Sequence, residues 1–136
     1  MNNLLQGKRG IIFGALDENS IAWKVALKAH EQGAKFTLTN APVALRMGEI
    51  NKLAEKCGTT VIGADATLVE DIEKLVDQSV EQLGGKLDFV LHSIGMSPNV
   101  RKGKTYTDLN YEWYQKTLDI SALSFHKTLQ TLMKKD

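Results

Sequence analysis

Four short strand-like runs, Arg9 to Phe13, Lys35 to Thr39, Thr60 to Ala64 and Leu87 to Ile94, are each followed by a stretch with apolar residues at helical spacing. This alternation leaves few folds open. A strand that returns parallel to its predecessor needs a helical crossover, and that crossover is right-handed, so the helices must cover both faces of the sheet. The pattern predicts an α/β fold: a doubly wound parallel sheet in three αβα layers. Ser20 to Gln32 places Ile21, Val25, Ala26 and Ala29 on one helical face, with Gly33 closing the helix. Pro42 opens a second helical segment, Val43 to Lys56, in which Met47, Ile50 and Ala54 recur, and Gly58 ends it. Thr67 and Glu70 have capping-box spacing ahead of a helix through Leu83, whose stripe is Ile72, Val76, Val80 and Leu83. Leu87 to Ile94 is the most apolar run, as expected of a central strand covered on both faces. Ser97 to Tyr106 is a loop, and Asn110 to Lys135 is mostly helical.

The expected organisation is a single, partial domain spanning residues 1–136, in which the sheet pattern stops after its fourth strand and the helices that follow. A formal net charge of +1, from 17 basic and 16 acidic residues, argues against nucleic acid as a partner. Cys57 is the only cysteine, which excludes an intramolecular disulfide or a cysteine-rich metal cluster and suits a reducing compartment. It reads as a small apolar residue near a helix end. No apolar run reaches the roughly 20 residues of a membrane span, and the first ten residues are polar and basic, so a cytoplasmic location is expected and no membrane partner.

Ligands of such sheets bind beyond the carboxyl ends of the strands, where Gly14 to Ser20, Thr39 to Pro42, Asp65 to Thr67 and Ser93 to Ser97 converge. Gly14 follows the first strand directly. Its missing Cβ lets a phosphate or ribose near the backbone, while the next helix offers free N–H groups and a positive dipole end. The usual G-x-G-x-x-G is absent, since Gly14 leads into Ala15-Leu16-Asp17-Glu18-Asn19-Ser20, a longer turn with two carboxylates, and the spacing alone fits a plain αβ turn as well as a dinucleotide site. Ser20 also reads as a helix N-cap. After the second strand, Asn40-Ala41-Pro42 holds no cation for a 2′-phosphate, which favours NADH, although Arg46 one helical turn on keeps NADPH open.

Taken together, Gly14-Ala15 with Ser20-Ile21-Ala22, Asp65-Ala66, His92-Ser93-Ile94-Gly95 and Asp119-Ile120-Ser121-Ala122 with Ser124-Phe125 closely resemble the enoyl-acyl-carrier-protein reductases of the short-chain dehydrogenase/reductase superfamily. Gly7-Lys8-Arg9 and Glu31-Gln32-Gly33-Ala34 extend the match over nearly the whole chain. The resemblance implies a Rossmann-type dinucleotide domain and NADH-dependent reduction of the trans-2 double bond of enoyl-acyl-carrier protein, with this chain as the cofactor-binding half. It implies that Gly14, Ser20 and Ile21 hold the pyrophosphate side and that Ala41 belongs to the cofactor site. Asp65 and Ala66 would take the adenine, Ile94 and Gly95 the nicotinamide ribose, and Ser97 the acyl substrate.

Acyl-carrier protein is the implied partner, and the implied assembly is a homotetramer, with Trp113, Leu118, Leu123, Phe125, Leu129 and Leu132 as its apolar surface. His92 reads as a packing residue beside the cleft. Arg101, Lys102 and Lys104 could draw an acidic carrier, or simply be solvated. The family's proton-donating Tyr and its Lys lie on the helix after a fifth strand. Tyr106, Tyr111 and Tyr114 precede that position, lack a Lys at the helical offset, and read as partly buried aromatics. No catalytic residue is therefore expected among these residues, and the chain alone is expected to be inactive. The alternative is a non-catalytic nucleotide-binding or assembly module derived from a reductase gene. A flavodoxin-like or receiver-type regulator is weaker, because no acidic cluster gathers at the strand ends.

Overall fold

A computed structural model describes residues 3–135. Strands β1 (Arg9–Phe13), β2 (Lys35–Asn40), β3 (Val61–Gly63) and β4 (Phe89–His92) form one parallel sheet in the order β3-β2-β1-β4. Between them lie α1 (Ile21–Glu31), α2 (Pro42–Leu45), α3 (Glu49–Cys57) and α4 (Val69–Leu83), and after β4 come α5 (Tyr111–Leu118) and α6 (Ser124–Lys134). A π-helical turn, Asp119–Leu123, joins the last two into one continuous rod. The parallel αβα architecture is the one the alternation predicts.

Side-chain alternation along β1 sorts the core into two layers, because successive residues of a strand point to opposite faces. Ile12 joins Phe36, Leu38, Ala22, Trp23, Ala26, Ile50, Leu53 and Cys57 on the face covered by α1 and α3. Ile11 and Phe13 join Ile72, Leu75 and Val76 on the face covered by α4, where α6 also packs. Cys57 is buried as expected, and burial pushes its thiol up despite the opposing charge of Lys56, which leaves it a packing residue. On β2 the same alternation sends Thr37 and Thr39 toward α4. Thr37 Oγ1 meets Ser79 Oγ at 2.7 Å, while the buried Thr39 Oγ1 has no partner among the described residues.

Several local expectations shift. The buried face of α1 is Ala22, Trp23, Ala26 and Ala29, whereas Ile21 and Val25 are exposed; the indole of Trp23 occupies the space the predicted stripe gave to them. Gly48, at φ +78°, breaks the segment after Pro42 into two short helices, so Met47 faces solvent while Ile50 and Ala54 are buried. Thr67 and Glu70 make no capping box. Helix α4 starts at Val69, and Thr67 turns its hydroxyl to Asp65 instead. The α4 stripe is Ile72, Leu75, Val76 and Ser79, with Val80 exposed and Leu83 half-buried, because the helix phase follows its contacts with β2 and α6.

Strand β4 stands at an edge of the described sheet, paired only with β1, rather than at its centre. Its residues are half-buried. Phe89 and Leu91 pack toward one layer and Val90 toward the other, so its apolarity reports the two covered faces. It does not report how many strands flank it.

The two threonines give a direct test of the layer facing α4. Thr37→Val leaves the Ser79 hydroxyl buried and alone and should cost about 1 to 3 kcal/mol, whereas Thr39→Val removes an unpaired hydroxyl and should be neutral or stabilising. Urea unfolding of the two variants measures both. Equal losses would mean that Thr39 has a partner and that the assigned packing is wrong.

Candidate functional site

Because all four strands run parallel, their carboxyl ends share one edge. The register sets Phe13 beside both Thr39 and His92, and Asn40 beside Gly63. Gly14 leaves that edge with φ +96°, a left-handed conformation that L side chains avoid. Its N–H donates to the Thr39 carbonyl at 3.1 Å, and a Cβ on Gly14 would overlap the Ser93 carbonyl oxygen. The missing side chain therefore makes room first for the end of β4.

The turn that follows is organised by Ser20, in a way its sequence position does not announce. Ser20 occupies the N-cap position of α1, but its Oγ points back to accept from Leu16 N at 3.0 Å and Asp17 N at 3.1 Å. No side chain caps α1. Instead of satisfying the helix, Ser20 holds the longer turn that replaces a three-glycine loop, and the first N–H groups of α1 stay open to an anion. Ile21 opens the helix and is exposed.

Asn40, which sequence reasoning noted only for its lack of charge, ties three loops together. Its Nδ2 donates to the Ala15 carbonyl at 2.9 Å, its Oδ1 accepts from Ala41 N at 2.8 Å, and its backbone carbonyl accepts from Ala64 N at 3.1 Å. Both ends of the amide are thus in use. The available signal was an amide side chain at a strand end, where donor and acceptor are needed at once. Ala41 precedes α2, and Arg46, at the far end of that short helix, is exposed.

After β3, Asp65 Oδ1 accepts from both Thr67 N (2.9 Å) and Thr67 Oγ1 (2.6 Å), while Asp65 N donates to Asp71 Oδ2 at 2.9 Å. This Asx-type turn presents a half-buried carboxylate at the sheet edge, with Ala66 packed on the layer facing α4. Lys127, from α6, donates to the Thr67 carbonyl at 2.9 Å and to Asp119 Oδ1 at 2.6 Å.

After β4, Ile94 packs on the core and Gly95 is exposed. Ser121 clamps the next residue twice, its Oγ accepting from Met96 N (3.1 Å) and donating to the Met96 carbonyl (3.2 Å). Ser97 Oγ accepts from Thr117 Oγ1 at 3.3 Å. His92 lies 6.0 Å from the Phe13 ring and edge-on to Phe125 at 5.1 Å, the packing role expected of it. Ser124 Oγ donates to the Ile120 carbonyl at 2.6 Å, so at 2.8 Å it accepts from His92 and fixes the Nε2–H tautomer. Burial pulls the His92 ring below its ordinary value, opposed by a bond to its own backbone.

Gly14, Ser20, Ala41, Asp65, Ala66, Ile94, Gly95 and Ser97 therefore sit on the loops of one edge, with Ile21 in the first turn of α1 beside them. The tyrosines do not join them as partly buried groups: Tyr106, in the turn before α5, and Tyr111 and Tyr114, on α5, are all exposed. Arg101 stacks over Trp113, 4.4 Å from the ring centroid. No group of three or more potential metal ligands occurs among the described residues. No helix among them is long and apolar enough to cross a membrane.

A parallel sheet with one convergent edge, a glycine leaving β1 and an uncapped helix behind it is the arrangement of a Rossmann-type domain. The model of the enoyl-(acyl carrier protein) reductase family matches residues 14–135, and the chain belongs to that family. The enoyl-[acyl-carrier-protein] reductase [NADH] 2 of Rhizobium meliloti (strain 1021) is 34% identical over 125 residues, covering 92% of this chain and 46% of its own length. The crystal structure of a FabI–NADH complex from Alistipes finegoldii superposes with a TM-score of 0.95 at 65% identity, covering 98% of this chain and 47% of that one. A second FabI structure from the same organism has a TM-score of 0.96 at 64% identity, covering 100% of this chain and 52% of that one. The chain spans about half the length of the relatives it matches.

Two measurements probe this edge. Gly14→Ala combines a left-handed backbone with overlap on Ser93 and should cost about 2 to 4 kcal/mol of stability; thermal unfolding close to wild type would contradict the close approach. Burial favours the neutral His92 ring in the fold while the unfolded chain protonates near the ordinary value of 6.5, so its contribution is present above that pH and lost as pH falls below it. The melting temperature should drop between about pH 7.5 and pH 5.5, and His92→Gln should flatten part of that slope. An unaltered slope would place the titration elsewhere.

Proposed function

We propose that this chain is the cofactor-binding half of an NADH-dependent enoyl-acyl-carrier-protein reductase, acting on the trans-2 double bond of an acyl chain carried by acyl-carrier protein. The observation that carries the reading is the convergence of an uncapped α1 terminus, the Asp65 carboxylate and the exposed Gly95 backbone along one sheet edge. These are an anion site, a hydrogen-bond acceptor and a side-chain-free surface, the chemistry a dinucleotide offers itself to from pyrophosphate, adenine and nicotinamide ribose. When bound, NADH supplies the hydride.

In this reading Gly14, Ser20 and Ile21 present the pyrophosphate side, with Ser20 acting through the turn it holds. Ala41 borders the adenosine ribose without a cation, Asp65 accepts from the adenine amino group and Ala66 lines the adenine pocket. Ile94 and Gly95 pass beneath the nicotinamide ribose, and Ser97 lies toward the acyl group. The Tyr and Lys of the family are assigned to the half of the relatives that this chain does not span. The 136-residue chain alone therefore binds cofactor without reducing substrate.

The same reading places the enzyme in the cytoplasm as a homotetramer. The exposed Leu118, Leu123, Phe125 and Leu129 along the last helices, with half-buried Trp113 and Leu132, support a buried assembly face.

Fluorescence titration with NADH tests it. Asp65→Ala should weaken NADH roughly tenfold to a hundredfold, the effect of one charge-assisted hydrogen bond, and Ala41→Arg should narrow the preference over NADPH. NADPH binding ten times more tightly than NADH, or full affinity in a folded Asp65→Ala chain, would sink these assignments. Steady oxidation of NADH with crotonyl-coenzyme A by the 136-residue chain would show that the proton donor lies within it.

A further inference from the structure

We infer that Lys127 is a positioning residue for the adenine end of the site, holding the loop after β3 in place from a helix that also holds the loop after β4. The inference rests on the cofactor reading above and deepens it. Lys127 reaches across 60 residues of sequence to donate to the Thr67 carbonyl, and its side chain is 27% exposed, against 69% and 66% for the surface-paired Lys28 and Lys52. A half-buried ammonium is retained only where it is paired and hydrogen-bonded, and here Asp119 balances its charge at 2.6 Å. Its charge is thereby satisfied inside the protein. Lys127 acts on the backbone that carries the site instead of on the ligand.

Lys127 and Asp65 act on one shared residue. Asp65 holds Thr67 by its N–H and hydroxyl, and Lys127 holds the same residue by its carbonyl. With Thr67 fixed from both sides, the Asp65 carboxylate has one orientation. Asp119, the anchor of Lys127, begins the π-helical turn, and Ser121 of that turn grips Met96. The turn's wider winding, of the kind often found at functional sites, brings Asp119 and Lys127 together across eight positions although an ordinary helix pairs residues three or four apart. One rib of the last helix thus sets the spacing between the loop assigned to the adenine and the loop assigned to the nicotinamide ribose.

The test titrates the chain with NADH and with ADP-ribose, and measures amide hydrogen exchange without ligand. Lys127→Met should weaken both ligands by the same factor, roughly five- to twentyfold, and Lys127→Arg should restore most of the affinity. Exchange should quicken at residues 65–69 and stay unchanged along α6. Full ADP-ribose affinity in folded Lys127→Met would overturn the inference. So would faster exchange spread through α6, which would make Lys127 a helix staple only. If the wild-type chain binds neither ligand, the cofactor reading fails by itself, and exchange decides the inference: unchanged rates at 65–69 in Lys127→Met overturn it, and faster rates confined there sustain it.

Discussion

The approach of the Gly14 backbone to the Ser93 carbonyl is the constraint on which the strand-end edge depends. A side chain at residue 14 would push β1 and β4 apart where their ends must stay level, and the Gly14 N–H bond to Thr39 binds the same residue to β2. Three strands are thereby trimmed to one line. Loops that leave from a common line can face one extended ligand, which is why parallel α/β sheets bind there. Gly14 serves this geometry by what it lacks, as a phosphate-binding glycine would, but its immediate neighbour is protein.

The second structural dependence is on the helix that follows β4. Ser124 fixes the tautomer of His92, Ser121 clamps Met96 and Lys127 reaches Thr67, all from successive turns of one rod. Loops are the mobile parts of a fold, and binding residues on them need support from rigid elements. Here the support comes from hydroxyls and one ammonium bonded to loop backbone, which costs little side-chain specificity in the loops themselves. Ser121 belongs to the π-helical turn, and Ser124 and Lys127 follow it in α6.

Where the local reading went astray, a short-range rule met a stronger long-range demand. Ser20 has the residue type and position of a helix cap, yet two N–H groups of the preceding turn, Leu16 and Asp17, claim its oxygen. Thr67 has capping-box spacing with Glu70, but Asp65 sits two residues back and takes both of its donors. In each case a tighter turn competes for the same side chain and wins, leaving the helix uncapped. For α1 that outcome leaves anion-binding N–H groups free.

The sequence by itself determined the order of strands and helices, the parallel αβα layering, the glycine that ends β1, the breaks at Gly33 and Gly58, and the four loops that meet at one edge. Periodicity and the backbone freedom of glycine are local properties, so they survive being read one segment at a time. Only the tertiary structure decided that Trp23 displaces Ile21 and Val25 from the core, that β4 lies at the edge of the described sheet, and that Asn40, Ser121 and Lys127 hold the loops. The bonds made by these three side chains join residues 25 to 60 positions apart. A polar side chain in a helix or at a strand end carries no mark of which distant backbone group it will satisfy, because that partner exists only once the layers have packed.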